Sequence, residues 1–190
     1  MRNYSPLAAF RLQPQSGFCR RTESLPSSVT LDSPALDVMT DFRQISAVTI
    51  TPHAAMEEAN RRMIEHGVRL LLVVDASGIV LGILTAVDIL GEKPLRLLQD
   101  RGLRRNEITA ADLMTPQQDI DVLAFQTLLS AKVGHVVATL KSWGRQHAVV
   151  VENNTVCGLF SASQIARSLG LPVHMTEVAR TFAEIESILH

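Results

Sequence analysis

The sequence predicts an α/β (α+β) fold assembled from two β-α-β-β-α repeats. The first observation behind this is internal repetition. Asp37-Val38-Met39-Thr40 recurs as Asp112-Leu113-Met114-Thr115, an offset of 75 positions. Arg69-Leu70-Leu71-Leu72-Val73-Val74-Asp75 recurs as Gln146-His147-Ala148-Val149-Val150-Val151-Glu152, an offset of 77, and Gly82-Ile83-Leu84-Thr85-Ala86-Val87-Asp88-Ile89 recurs as Gly158-Leu159-Phe160-Ser161-Ala162-Ser163-Gln164-Ile165, an offset of 76. Three matches in one order, at nearly one spacing, mark a duplicated structural unit. The second observation is that each copy alternates short apolar runs, bounded by turn residues, with stretches of helical period.

In the first copy, residues 47–51 alternate and end at Thr51-Pro52, with Thr51 as candidate N-cap and Pro52 in the first turn. Met56, Ala59, Asn60, Met63 and Ile64 then fall on one helical face, which His66-Gly67 closes. Leu70–Val74 reads as a buried strand, Ala76-Ser77-Gly78 as a turn, and Ile79–Leu84 as a second strand. Thr85 opens a short helix carrying Val87, Ile89 and Leu90. The second copy predicts a helix near 133–143, strands near 147–151 and 155–160, and a helix over about 162–169. Between the copies, residues 92–107 read as a linking helix, with Arg96, Arg101, Arg104 and Arg105 on a solvated face. Val178, Phe182, Ile185 and Leu189 give residues 176–189 an amphipathic helical period.

Composition narrows the function classes. With 46% apolar residues in 190, a sizeable core is available. A net charge of −1 and 4% aromatics argue against a nucleic-acid surface. No apolar run approaches the roughly 18 residues that span a bilayer. Residues 1 to about 31 place Arg2, Arg11, Arg20 and Arg21 against Glu23 without a continuous apolar stretch, and read as a tail rather than a targeting signal. Cys19 and Cys157 lie far apart and read as free thiols of a reducing compartment. Localisation is therefore expected to be cytoplasmic.

The leading "DVMT"/"DLMT", the "LLLVVD" strand and above all "GILTAVD" resemble the CBS domain. Two such units in tandem resemble a CBS pair, or Bateman module, over residues 35–172. The boundaries that follow are a tail at 1–34, a first CBS domain at 35–91, a connecting helix at 92–110, a second CBS domain at 111–172 and a C-terminal amphipathic helix at 173–190. The resemblance implies two repeats packed sheet to sheet about a pseudo-twofold axis.

No catalytic motif is present: there is no GxSxG, HExxH or Walker-type loop, and no two histidines stand at i, i+4. Glu57 and Glu58 are adjacent and point apart, and His135, early in its helix, reads as exposed. The chain is not expected to be an enzyme. The repeat-end motif is the better lead. Thr85 stands at a strand-to-helix junction and Asp88 lies one turn on, where its carboxylate oxygens suit a vicinal diol. Spacing alone favours a simple helix cap without a ligand. The resemblance reverses that preference, because CBS pairs place a ribose-binding Asp and a phosphate-side hydroxyl there.

Carried over residue by residue, the resemblance implies two clefts. One would use Thr85 and Asp88 opposite Arg145, Gln146 and His147. The other would use Ser161 and Gln164 opposite Thr51, Val68, Arg69 and Leu70. Arg69 and His147 stand beside strand starts, where such families place phosphate-contacting cations. Gln164 departs from the acid expected there, since an amide cannot give a carboxylate's charge-assisted contact. The Asp88 cleft is therefore preferred. The expected ligands are AMP, ADP, ATP or S-adenosylmethionine, with no cofactor required. The function implied is a stand-alone regulatory module that signals occupancy to a separate, unidentified partner. A structural or protein-interaction module that has lost its ligand is the other reading. A homodimer is expected through Val87 and Leu90 of one repeat-end helix, Ile165 and Leu169 of the other, and the C-terminal Phe182, Ile185 and Leu189.

Overall fold

The computed structural model describes residues 29–171 apart from Leu103. The tail residues before Val29 and the amphipathic segment expected at 173–190 lie outside the described residues. In chain order the elements are β1 (Thr40–Asp41), β2 (Thr49–Ile50), α1 (Met56–His66), β3 (Leu70–Val74), β4 (Val80–Thr85), α2 (Ala86–Leu90), α3 (Lys93–Arg101), α4 (Ala110–Leu113), β5 (Thr115–Pro116), β6 (Val122–Ala124), α5 (Phe125–Leu128), α6 (Val133–Trp143), β7 (His147–Glu152), β8 (Thr155–Ser161) and α7 (Ala162–Ser168). The expected mixed α/β repeat is present twice.

The strands form two four-stranded sheets, ordered β2-β3-β4-β5 and β1-β8-β7-β6. In both, the inner hairpin is antiparallel, while β2 and β6 run parallel to β3 and β7. Each sheet borrows its last strand from the other repeat: β1 pairs with β8, and β5 pairs with β4. The cores follow the same exchange. Ala35 and Val38, from the leading "ALDV", pack with Val136, Leu140, Phe160 and Ile165 of the second repeat. Ile108, Ala110 and Leu113 pack with Met56, Leu71 and Leu84 of the first. Leu70, Leu72, Ile83 and Val149 form the seam between the sheets. A sequence boundary between repeats therefore does not separate the two cores.

The exchange also explains a departure from expectation. Thr51 is not the N-cap of α1; the helix begins at Met56 after Ala55. Residues 52–56 are held by the other repeat's leader: Met56 N–H donates to Ile108 O at 2.9 Å, Ala110 N–H to Ala54 O at 2.8 Å and Ala111 N–H to Pro52 O at 2.9 Å. The first satisfies the leading amide of α1, and the other two satisfy the first two amides of α4, none of which has an intrahelical partner. The twofold equivalent recurs where Val133 N–H donates to Ser33 O at 2.9 Å and starts α6. Exposed His135, in the first turn of α6, accepts from Lys132 N–H through Nδ1.

Helix α1 buries Met56, Ala59 and Met63 but leaves Ile64 exposed. Within the connector, α3 stops at Arg101 because Gly102 takes a left-handed φ of 64°. The four arginines are paired at the surface: Arg96 with Glu92, Arg101 with Asp112, Arg104 with Glu107 and Arg105 with Glu57. Such exposed pairs contribute little to stability, as on any solvated face. Ile165 is fully buried in its own core, so α7 does not offer the apolar face expected of it. Val87, Leu90 and Leu95 on α2 and α3 are exposed. The difference is local: Leu90 matches Ala166, and Val87 matches Ser163, in the second repeat. Cys157 is buried as a free thiol, and burial raises its pKa.

Candidate functional site

The junction between β4 and α2 is built by Thr85. Its extended backbone ends the strand, and its side chain accepts from Asp88 N–H at 3.3 Å. Asp88 answers through Oδ2, which receives Thr85 N–H at 2.8 Å and Thr85 Oγ–H at 2.6 Å. This reciprocal cap stabilises a five-residue helix that would be marginal alone. The other oxygen, Oδ1, accepts from Lys93 Nζ, which also donates to Leu113 O at 3.0 Å. Asp88 is buried, whereas the Lys93 side chain remains 48% exposed.

A cleft of about 270 Å³ opens over this junction. Thr85 and Asp88 line it from the first repeat and Arg145, Gln146 and His147 from the second, and Arg69 and Thr115 line it as well. The five residues named from sequence for this cleft are thus brought together. Arg145 reaches it while donating to Asp119 O at 3.0 Å and lying 3.6 Å from Asp121. Thr115 arrives on β5, whose pairing with β4 was not legible in the motif spacing. Lys93 was also missed; only its place five residues after Asp88 hinted at it.

His147 has a particular position. Leu70 pairs with Thr85 across the first hairpin, and His147 pairs with Ser161 across the second. His147 is therefore the twofold counterpart of buried Leu70, an imidazole where the other repeat has a leucine. Burial between the sheets, reinforced by the Arg69 charge and partly opposed by Asp88, pushes its pKa down to about 4. It stands neutral at physiological pH, with one ring nitrogen a donor and the other an acceptor.

A second cleft of about 140 Å³ brings together Ser161, Gln164, Val68, Arg69 and Leu70, with Thr40 and Arg167 at its edge. Thr51 is not among them; it sits exposed in the turn after β2, where its carbonyl accepts Ala54 N–H. The chemistry here differs from the first cleft. Ser161 Oγ bonds to Ser163 Oγ at 3.0 Å and caps no backbone donor, and Gln164 Oε1 accepts from Thr40 Oγ at 3.3 Å. Arg69 and His147 line both clefts. No group of three or more His, Cys, Asp or Glu side chains suited to a metal ion occurs among the described residues. No described helix is long and apolar enough to cross a membrane.

Comparison with known proteins identifies the architecture. Residues 35–94 match the CBS domain family model. No curated protein matches the sequence. Among solved structures, an uncharacterized conserved protein from Pyrococcus horikoshii aligns with a TM-score of 0.57 at 21% identity, covering 78% of this chain and 100% of that one. A CBS-domain-containing protein from Agrobacterium tumefaciens aligns at 0.56 and 18% identity, over 73% of this chain and 94% of its own. CBSX2, in complex with AMP, aligns at 0.53 and 21% identity, over 72% and 95%. Sequence motif, repeat and topology agree: residues 35–94 match the CBS domain, and the described chain has the fold of a tandem CBS pair.

Proposed function

We propose that the protein is a regulatory module that binds an adenine nucleotide or related adenosyl ligand (AMP, ADP, ATP or S-adenosylmethionine) in the cleft of Thr85 and Asp88. One observation carries the reading. Two segments some sixty residues apart converge there, one bringing a hydroxyl and a carboxylate, the other Arg145, Gln146 and His147. Carboxylate and hydroxyl suit a ribose, and Arg69 and Arg145 suit phosphate oxygens. The shared fold with CBSX2, whose structure contains AMP, supports the same class of ligand. Occupancy would be passed to a separate partner as a change in the angle between the halves. That change can be no larger than the ligand's affinity difference between the two arrangements allows.

Thermal shift against the four ligands and NAD tests the reading directly. A bound ligand at 100 times its dissociation constant stabilises the fold by about 2.7 kcal/mol. Asp88→Ala is expected to weaken affinity at least tenfold by calorimetry. Loss of the reciprocal cap should also lower stability by about 1–2 kcal/mol. Equal affinity in the two proteins removes Asp88 from the site.

A second reading is a structural or protein-interaction module without a ligand. Three donors from the chain already engage the Asp88 oxygens, and Gln164 is tied to Thr40. No shift with any member of the panel would favour it. In either case we propose a homodimer with its contact on α2 and α3 of the first repeat, a reading that the exposed Val87, Leu90 and Leu95 support. Light scattering should give twice the chain mass for the native protein and the single mass for Leu90→Glu. A single mass for both excludes the dimer.

A further inference from the structure

We propose that Lys93 is an internal competitor for the ligand's hydroxyl groups at Asp88, setting how tightly the cleft holds a vicinal diol; this rests on the nucleotide reading above. An ionised carboxylate presents about four acceptor directions. Thr85 N–H and Thr85 Oγ–H take two of them on Oδ2, and Lys93 Nζ takes one on Oδ1. One direction is left, and a diol has two hydroxyls to place.

One of the three donors therefore yields when a diol enters, and the geometry selects Lys93. Thr85 N–H is fixed by the β4 backbone, and the Thr85 hydroxyl is bound into the helix cap. Lys93 arrives from the first turn of α3 on a half-exposed side chain. Its ammonium returns to water at little cost and keeps Leu113 O as an acceptor. Lys93 does not line the cleft. It competes by engaging Oδ1, the carboxylate oxygen that Thr85 leaves free.

The same helix supplies an internal control. At its other end Arg101 donates to Asp112 Oδ1 at 3.2 Å, while Asp112 Oδ2 receives Thr109 N–H and Oγ–H at 3.0 and 2.6 Å. The bonding copies that of Asp88, but Asp112 lines neither cleft.

The experiment is calorimetry on the full chain with adenosine and 2′,3′-dideoxyadenosine. Both are uncharged, so removal of a lysine does not act through a phosphate. Lys93→Met should bind adenosine about two- to fivefold tighter than the native protein, the range a half-exposed ion pair spans. It should bind the dideoxy compound equally well. Lys93→Gln, which keeps a donor for Leu113 O, should fall between, and Arg101→Met should change neither affinity. Equal or weaker adenosine binding by Lys93→Met and Lys93→Gln overturns the competition and leaves the nucleotide reading standing. So does a gain that is the same for both compounds. No binding of adenosine or AMP by any of the proteins overturns the nucleotide reading, and the competition with it.

Discussion

Gly82→Ala is expected to destabilise the protein by about 3 kcal/mol, more than any change in the cleft. A Cβ at Gly82 would lie 2.5 Å from Thr115 O and 2.8 Å from Met114 Sδ. The first of these is backbone of β5, the strand borrowed from the other repeat, and it cannot swing aside as a side-chain tip would. Gly82 pairs with Pro116 in that ladder, so relief of the clash means pushing β5 away and opening the core around Leu113. Overpacking of this kind typically costs about 1–3 kcal/mol, and a backbone clash lies at the upper end. Urea unfolding measures it. Gly78→Ala is the control: nothing lies within 4 Å, but its φ of 82° adds about 1 kcal/mol of strain alone. If Gly82→Ala loses no more than Gly78→Ala, β5 is not held as described.

His147→Leu should abolish a loss of stability that the native protein shows between pH 7 and pH 4. The imidazole pKa is about 4 in the folded protein against 6.5 in an open chain. The unfolded state then binds more protons across that window. Stability is therefore fully present above about 6.5 and is lost as pH falls toward 4. At about 1.4 kcal/mol per pH unit, the loss amounts to about 2–3 kcal/mol. Leucine at this position reproduces Leu70 across the twofold axis and has no proton to bind. The mutant should equal or exceed native stability at pH 7 and exceed it clearly at pH 4.5. Asp41, held down at about 2 by the Arg43 guanidinium, responds only at lower pH, so the two effects separate. Parallel native and mutant profiles from pH 7 to 4.5 would show that His147 does not remain neutral in the fold.

Both expectations depend on contacts that the sequence reveals unequally. The hairpins were legible because their signals are local. Leu70–Val74 and His147–Glu152 are short apolar runs, and each ends in turn residues such as Gly78 or the Asn153-Asn154 pair with positive φ. Gly67 and Gly144, left-handed at the ends of α1 and α6, mark those helix stops equally locally. The two walls of the first cleft came from the resemblance to a CBS pair, because neither the repeat nor the spacing states that Thr85 and Gln146 face one another. What stayed hidden was the partner chosen at long range. Nothing in "DLMT" states that Thr115 pairs with Ile83 rather than with its own repeat. For the same reason Thr51 looked like a cap, although α1 starts at Met56, whose N–H donates to Ile108 O. Lys93 was invisible because an ion pair to Asp88 needs the turn between α2 and α3, which Gly91 and Glu92 shape without a recognisable pattern.

The reciprocal loan of strands bears on how the protein comes into being. On a ribosome the first repeat is complete in sequence by Leu90, yet its sheet lacks β5 and its core lacks Ile108, Ala110 and Leu113. The second repeat in turn must find Ala35 and Val38, made long before it. The two halves therefore close on different schedules. The first core can close once residues 108–116 have emerged, whereas Ala35 and Val38 find their partners only when Phe160 and Ile165 have been made.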